Sequence, residues 1–333
     1  MKYNYLFLIA ILFLDQTIFA GTVYIVHYAP NYTDSMLFNP NHHAGAFIFL
    51  ALKEAIRKQG HNCTMLPDSC YPIDSDAWFI ALERQNDEKK FNLLSCQPKN
   101  RCIMLMWEPP ATLLDNYFPN FHTPFKAIFT LFHEIVDNQK YFPLYYPQPF
   151  LYMIPNLVSF EQKKLCTMIS GDHTSQHPNE LYSARRSIIN FFETRHPKDF
   201  DFYGRYWTHH NHPCYKGIVD SKTDYLKNYK FAICFENMTS KTYLTEKIFD
   251  ILHAGCVPVY WGAKDIKSYI PYNAYILRED FGSDEELYDY LNSITEADYL
   301  TYLTAAKDFF ESDYAYKFSI ESFVTQMIKA IFD

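Results

Sequence analysis

Residues 229–262 read YKFAICFENMTSKTYLTEKIFDILHAGCVPVYWG. An apolar run ends at Phe235, a polar loop follows, and from Thr245 the residues Ile248, Phe249, Ile251 and Leu252 recur at the spacing of one helix face, closed by Gly255. A second apolar run containing Pro258 comes next. Strand, helix and strand in this order form the unit of a parallel sheet. The helix start carries an oddity, because Lys247 stands in its first turn, where the positive end of the helix dipole disfavours a cation by ~0.3–1 kcal/mol. Two explanations stand. Free backbone amides and the ammonium together form a cradle for a diphosphate, or the lysine is solvated beside Asp250, three residues further on.

The same alternation extends in both directions. Thr22 to Ala29 (TVYIVHYA) reads as a buried strand, and Ala46, Phe47, Phe49, Leu50, Ala55 and Ile56 mark a helix with Gly60 at its C-cap. DAWFIALE and RCIMLMWE are further strands, the second stopped by Pro109 and Pro110, which have no amide to give to a ladder. Leu151 to Phe160 has few charges and no period, and is read as an interdomain connection. After it come KLCTMIS, a helix from Ser183 to Glu193, DFYGRYW, YKFAICFEN, the helix at Thr245, VPVYWG and AYILRED. Ser283 with Glu286 spells a capping box, and a last helical region from Glu296 carries Leu300, Leu303, Phe309 and Phe310. The expectation is an α/β protein of two Rossmann-like domains facing a cleft, 21–155 and 156–333, with ligands bound outside the carboxyl ends of the strands.

At 333 residues and 48% hydrophobic content the chain is long and apolar enough for two cores. A net charge of -8 argues against a nucleic-acid partner, which would draw a basic face, so any anion must be met by a local site. The first twenty residues, MKYNYLFLIAILFLDQTIFA, put Lys2 ahead of an apolar block from Leu6 to Leu14. That block is shorter than the ~20 residues needed to span a bilayer. It suits a secretory signal ending at Ala20, an interfacial membrane anchor, or a first strand. Eight cysteines form no C-x-x-C; Cys63 with Cys70 and Cys96 with Cys102 are spaced to bridge locally, or all are free thiols. Sequons occur at Asn31, Asn62 and Asn237.

The run from Tyr229 to Gly262 closely resembles the donor-binding motif of the α-1,3/4-fucosyltransferases, glycosyltransferase family 10: Y-K-F, F-E-N, a tyrosine shortly before T-E-K, then V-P-V and a W-G ending. The resemblance implies a GT-B fold, an acceptor-binding domain followed by a GDP-fucose domain, and inverting transfer of fucose to a GlcNAc-containing oligosaccharide or glycoprotein. It also implies that Glu246 holds the ribose hydroxyls, Lys247 pairs with the diphosphate, and Asn237 and Tyr243 line the phosphate and fucose side of the pocket. Upstream, SARRSIINFFE resembles the family helix that carries a phosphate-binding arginine, here Arg185 in preference to Arg186. FDFYGRYW resembles the family strand ending in Gly-Arg, here Gly204 and Arg205.

Inverting transfer needs a base to take the proton of the attacking hydroxyl. Glu108 ends an apolar strand where the family has a glutamate, and burial beside Trp107 raises its pKa toward neutrality. The other reading is a carboxylate in a loop just past a strand. This chain follows Glu108 with Pro109 and Pro110, where animal members have Ser-Pro and a histidine, and no cysteine follows Cys256. No cofactor is required in this reading, although a divalent cation can stimulate. Asp74-Ser75-Asp76 precedes its strand and is read as a turn, not a cation site. His209, His210, His212 and Cys214 lack a closed zinc spacing and are read as a polar loop, and His42 and His43 flank a helix start. The alternatives are a transferase of another GDP-sugar and a non-catalytic glycan- or nucleotide-binding module. The resemblance implies a membrane-associated place, the Golgi lumen in a eukaryote and the cytoplasmic face of the inner membrane in a bacterium.

Overall fold

A computed structural model describes residues 20–29, 32–40, 45–69, 76–85, 87–207 and 211–333. The amino-terminal apolar block, Asn31, His42, His43, Cys70, Asp74, Ser75, His209 and His210 lie outside the described residues.

Two parallel sheets carry the chain. The first contains β1 (Thr22–His27), β2 (Asn62–Met65), β3 (Trp78–Leu82), β4 (Cys102–Met106), β5 (Ala127–Thr130) and β6 (Tyr141–Pro143) in the order β2-β1-β3-β4-β5-β6. The second contains β7 (Lys164–Ile169), β8 (Phe200–Tyr203), β9 (Tyr229–Ser240), β10 (Val257–Ala263) and β11 (Ile276–Leu277) in the order β11-β10-β9-β7-β8. Helices α1 (Asp34–Leu37), α2 (Ala46–Lys58) and α3 (Glu88–Ser95) lie within the first unit. Those within the second are α4 (Tyr182–Arg195), α5 (Lys222–Leu226), α6 (Glu246–His253), α7 (Asp284–Ser293) and α8 (Glu296–Phe310). The last helix, α9 (Ile320–Phe332), returns to the first sheet, where Phe323, Met327 and Ile331 are buried with Leu52 and Ile56 of α2. Each such side chain contributes about 1.5–3 kcal/mol of burial.

The central strands are apolar on both faces, as parallel strands covered by helices must be. All five residues of β4, CIMLM, are buried. Register then decides what reaches the cleft: Leu82 pairs with Leu105, so Glu83 and the end of β4 emerge side by side. On the second sheet, β9 continues past Phe235 through Glu236 and Asn237 while β10 shifts register between Trp261 and Ala263. Helix α6 ends in a Schellman motif, in which Gly255 adopts φ 65 and the amides of Gly255 and Cys256 bond Leu252 and Ile251.

Three sequence expectations change, and one alternative left open between bridged and free cysteines is decided for the described residues. The reciprocal bond of the Ser283 capping box is absent: Ser283 accepts the Glu286 amide, but the Glu286 carboxylate takes the amide of Gly282 instead. Leu300 is half exposed and does not contribute to the α8 core. AYILRED keeps only two strand residues before a turn over Arg278–Asp280. All seven described cysteines are free, six of them buried, so Cys96 and Cys102 form no bridge. Among the described residues no helix is long and apolar enough to cross a membrane.

Candidate active site

The site forms where the carboxyl ends of β4 and β9 face each other, with α6 and α4 beginning beside it. Glu108 follows β4 and Lys247 lies in the first turn of α6. Lys247 Nζ donates to Glu236 Oε2 at 3.0 Å and to Thr245 Oγ1 at 2.9 Å, and lies 4.0 Å from Glu246. Glu236 is fully buried; it also accepts the Thr245 amide at 2.8 Å and the Thr245 hydroxyl at 2.8 Å and 3.0 Å. The lysine is therefore not a solvated partner of Asp250. Asp250 instead pairs with Lys222 at 2.6 Å, and Lys222 also approaches Glu246 at 3.8 Å.

Charge at the helix start is set by these neighbours. Burial alone would lower the Lys247 pKa, but Glu236 and Glu246 outweigh it and raise it, keeping the ammonium charged. Burial likewise opposes the charge of Glu246, yet Lys247 and Lys222 hold its carboxyl well below the usual carboxylate range. Burial pushes the Glu108 carboxyl up; Lys247 offsets this in part, while Glu246 and Glu236 add to it. The nearby Thr112 hydroxyl also works against the rise, and Glu108 Oε2 is buried without a hydrogen-bond partner. A carboxylate raised in this way and short of one donor is suited to accept a proton.

Arg185 and Arg186 separate cleanly. Arg185 is buried, and its Nη2 donates to the Phe235 carbonyl at 2.7 Å and to Asn237 Oδ1 at 3.0 Å. Arg186 turns outward to Asp172 at 2.9 Å. Both ends of the Asn237 amide are engaged, since its Nδ2 donates to Thr112 Oγ1 at 3.2 Å. Thr112 also meets the Tyr182 hydroxyl at 2.9 Å, which ties the loop after β4 to the start of α4. Tyr243 is 2% exposed, packs with the first sheet's core, and faces the charges of Glu108, Glu236 and Glu246. All six residues singled out from sequence, Glu108, Arg185, Asn237, Tyr243, Glu246 and Lys247, thus gather in one place.

Sequence reasoning missed Glu236, Thr112 and Tyr182. Glu236 was visible as a lone acid at the end of the apolar stretch FAICF, where burial demands a cation. Its presence also explains the W-G ending: a Cβ on Gly262 would lie 2.5 Å from Glu236 Cγ and 2.8 Å from the Tyr260 hydroxyl. Gly262→Ala is expected to displace the Glu236 carboxylate and to cost about 1–3 kcal/mol in chemical denaturation, as overpacking does.

Of the remaining motifs, His212, Cys214 and Asp76 lie among the described residues. His212 Nδ1 lies 2.7 Å from Glu193, which also accepts the Cys214 amide, and Asp76 pairs with Arg101. Among the described residues no group of three His, Cys, Asp or Glu side chains is placed to hold an ion. Beside the cluster a cavity of about 550 Å³ opens between Asn179, Leu181, Phe235, Thr239, Trp261 and Arg278. Its size suits a small-molecule ligand.

Two parallel α/β sheets meeting at a cleft lined from both sides are the GT-B glycosyltransferase fold, and solved structures share it. An alpha1,3-fucosyltransferase superposes with a TM-score of 0.57 at 17% identity, covering 94% of this chain and 90% of that one. The same class of enzyme solved with GDP-fucose gives 0.53 at 17% identity, covering 94% and 92%. The family model described as glycosyltransferase family 10 (fucosyltransferase) C-term matches residues 160–327, just over half of the chain. The chain belongs to that family. Over 197 residues it is 28% identical to the 4-galactosyl-N-acetylglucosaminide 3-alpha-L-fucosyltransferase 9 of Mus musculus, a match covering 56% of this chain and 51% of that protein. The chain spans about half or less of the length of the curated relatives of this name that it matches.

Proposed function

We propose that the protein transfers L-fucose from GDP-β-L-fucose to a hydroxyl of a GlcNAc-containing glycan, inverting the anomeric carbon, as an α-1,3-fucosyltransferase. The observation that carries this reading is that Glu108, just past β4, faces Lys247 at the start of α6 with Arg185 of α4 beside it, the two cations lying within the residues that the family 10 model matches. Glu108 takes the acceptor hydroxyl proton as that oxygen bonds the anomeric carbon. The bond from that carbon to the diphosphate breaks, and its electron pair leaves with GDP. Lys247 and Arg185 balance the charge that grows on the leaving group. Glu246 holds the ribose, and Asn237 and Tyr243 shape the sugar side. No resident metal is assigned, and a divalent cation has at most a stimulating role. We also assign a membrane-associated location, the Golgi lumen if the cell is eukaryotic, supported by the apolar block from Leu6 to Leu14.

The test is a screen of GDP-fucose, GDP-mannose and UDP-sugars against N-acetyllactosamine and chitobiose acceptors, following nucleotide release and product linkage. Fucosylated product with an α-1,3 bond is expected from GDP-fucose alone. Turnover with another GDP-sugar would transfer the mechanism to that donor. GDP binding by calorimetry with no turnover on any pair would reduce the protein to a binding module.

A further inference from the structure

Glu83 stands directly after β3, beside the end of β4, and is 2% exposed. Its backbone adopts φ 61, in the left-handed region that few residues other than glycine and asparagine enter. Such a conformation persists where its surroundings over-determine it, and it concentrates at functional sites. The surroundings here are extensive. Glu83 Oε1 accepts the amide of Trp107 at 2.8 Å and that of Glu108 at 3.1 Å. Glu83 Oε2 accepts Asn116 Nδ2. Asn116 is itself fully buried, accepts the Arg84 amide at 2.7 Å, and has its carbonyl 2.6 Å from His122 Nε2. The Gln85 side chain donates to the carbonyls of Val26, Leu82 and Glu83, pinning the same corner from β1.

The amides of Trp107 and Glu108 fall just past the last strand residue of β4. Their orientation decides where the Glu108 side chain points. We propose that Glu83 is the positioning residue of the base: its carboxyl clamps both amides and so fixes the direction in which Glu108 leaves β4 toward Lys247. The proposal rests on the reading of Glu108 as the base.

Electrostatics adds a readout that a purely structural clamp would not move. Burial and the Glu108 charge push the Glu83 carboxyl up to about 8, against the pull of the Trp107, Asn116 and Glu108 donors. The other titratable groups felt in this corner are Tyr28 after β1 and Tyr117 in the turn that carries Asn116. As pH rises through about 8, Glu83 gains a charge that makes the Glu108 carboxylate hold a proton more tightly. A second inflection in kcat/KM near that pH follows.

The experiment compares Glu83→Gln and Glu83→Gly with wild type, alone and combined with Glu108→Gln, by kcat, KM, pH profile and thermal midpoint. Glycine adopts φ 61 without strain, so Glu83→Gly retains the corner while removing the clamp. A loss of about 100-fold in kcat is expected from a base misplaced by an ångström, with KM for GDP-fucose within about twofold. Glu83→Gln should lose the inflection near pH 8, and neither change should reduce activity further in the Glu108→Gln background. Wild-type kcat in both single variants, or an equal loss with and without Glu108, overturns the positioning role alone. Wild-type kcat in Glu108→Gln removes the base assignment and this proposal with it.

Discussion

Lys247→Ala is expected to lose transfer activity and stability together, and a second substitution should separate the two losses. Glu236 is fully buried, pairs with Lys247 at 3.0 Å, accepts the Thr245 amide and hydroxyl, and faces the Arg185 guanidinium as a more distant second cation. Removing one partner of such a pair costs about 3–5 kcal/mol, because the other charge is left desolvated. On the proposed role of Lys247, losing the cation also removes a charge-assisted contact to the departing diphosphate, which is about a 100- to 1000-fold effect on kcat. The double variant Lys247→Met with Glu236→Gln replaces the ion pair by groups of similar shape that need no counter-charge. Its stability should return most of the way to wild type in urea unfolding, while activity stays lost. That contrast decides between the two meanings of a lysine at a helix start. A double variant that turns over GDP-fucose normally would make Lys247 a counter-ion of Glu236 and nothing more. A single variant with normal turnover and weakened stability would say the same.

Much of the fold was written in apolar periodicity. Central strands such as CIMLM and FAICF are buried on both faces, so they appear as unbroken apolar runs flanked by helix-forming segments. The peripheral elements were not readable in this way. Strand β2 (NCTM) and strand β6 (YFP) are short and half-buried, and their pairing depends on neighbours far off in sequence. Helix α9 has a clear amphipathic pattern, with Phe323, Met327 and Ile331 one turn apart, but nothing local says that it packs on α2 across the whole chain. At the site, Lys247 drew attention because phosphate chemistry calls for a cation, and Glu236, the buried carboxylate that holds it, did not. DAWFIALE and RCIMLMWE each end in glutamate, and the parallel register that sets Leu82 against Leu105 turns this likeness into a physical pair. Pairing of that kind lies in the third dimension, so a single strand read alone could give only half of it.

Glu108→Gln is expected to lower kcat by about 100- to 10000-fold, the range for removing a general base, with GDP affinity preserved or slightly improved. The improvement follows from charge: Glu108 is felt by Lys247, and neutralising it removes one competitor for the ammonium. The pH profile supplies the sign. A base must be ionised to act, and burial pushes this carboxyl up, so the acid limb of wild-type kcat/KM should lie above the ordinary glutamate pKa of about 4.3. Activity falls as pH falls through the raised value, and the variant should lack that limb. Stability moves the opposite way. A carboxyl whose folded pKa is raised favours folding below its unfolded pKa, and this contribution is lost as pH rises through the folded value. Above the folded value wild type therefore carries the cost of an ionised, buried carboxylate whose Oε2 has no partner. Glutamine removes that charge, so the variant should melt at or above the wild-type temperature while being nearly inactive, the opposition expected where a site is kept under strain for chemistry. A variant that is both inactive and clearly less stable would instead make Glu108 a structural residue, and one that is fully active would leave the acceptor hydroxyl without the base assigned to it.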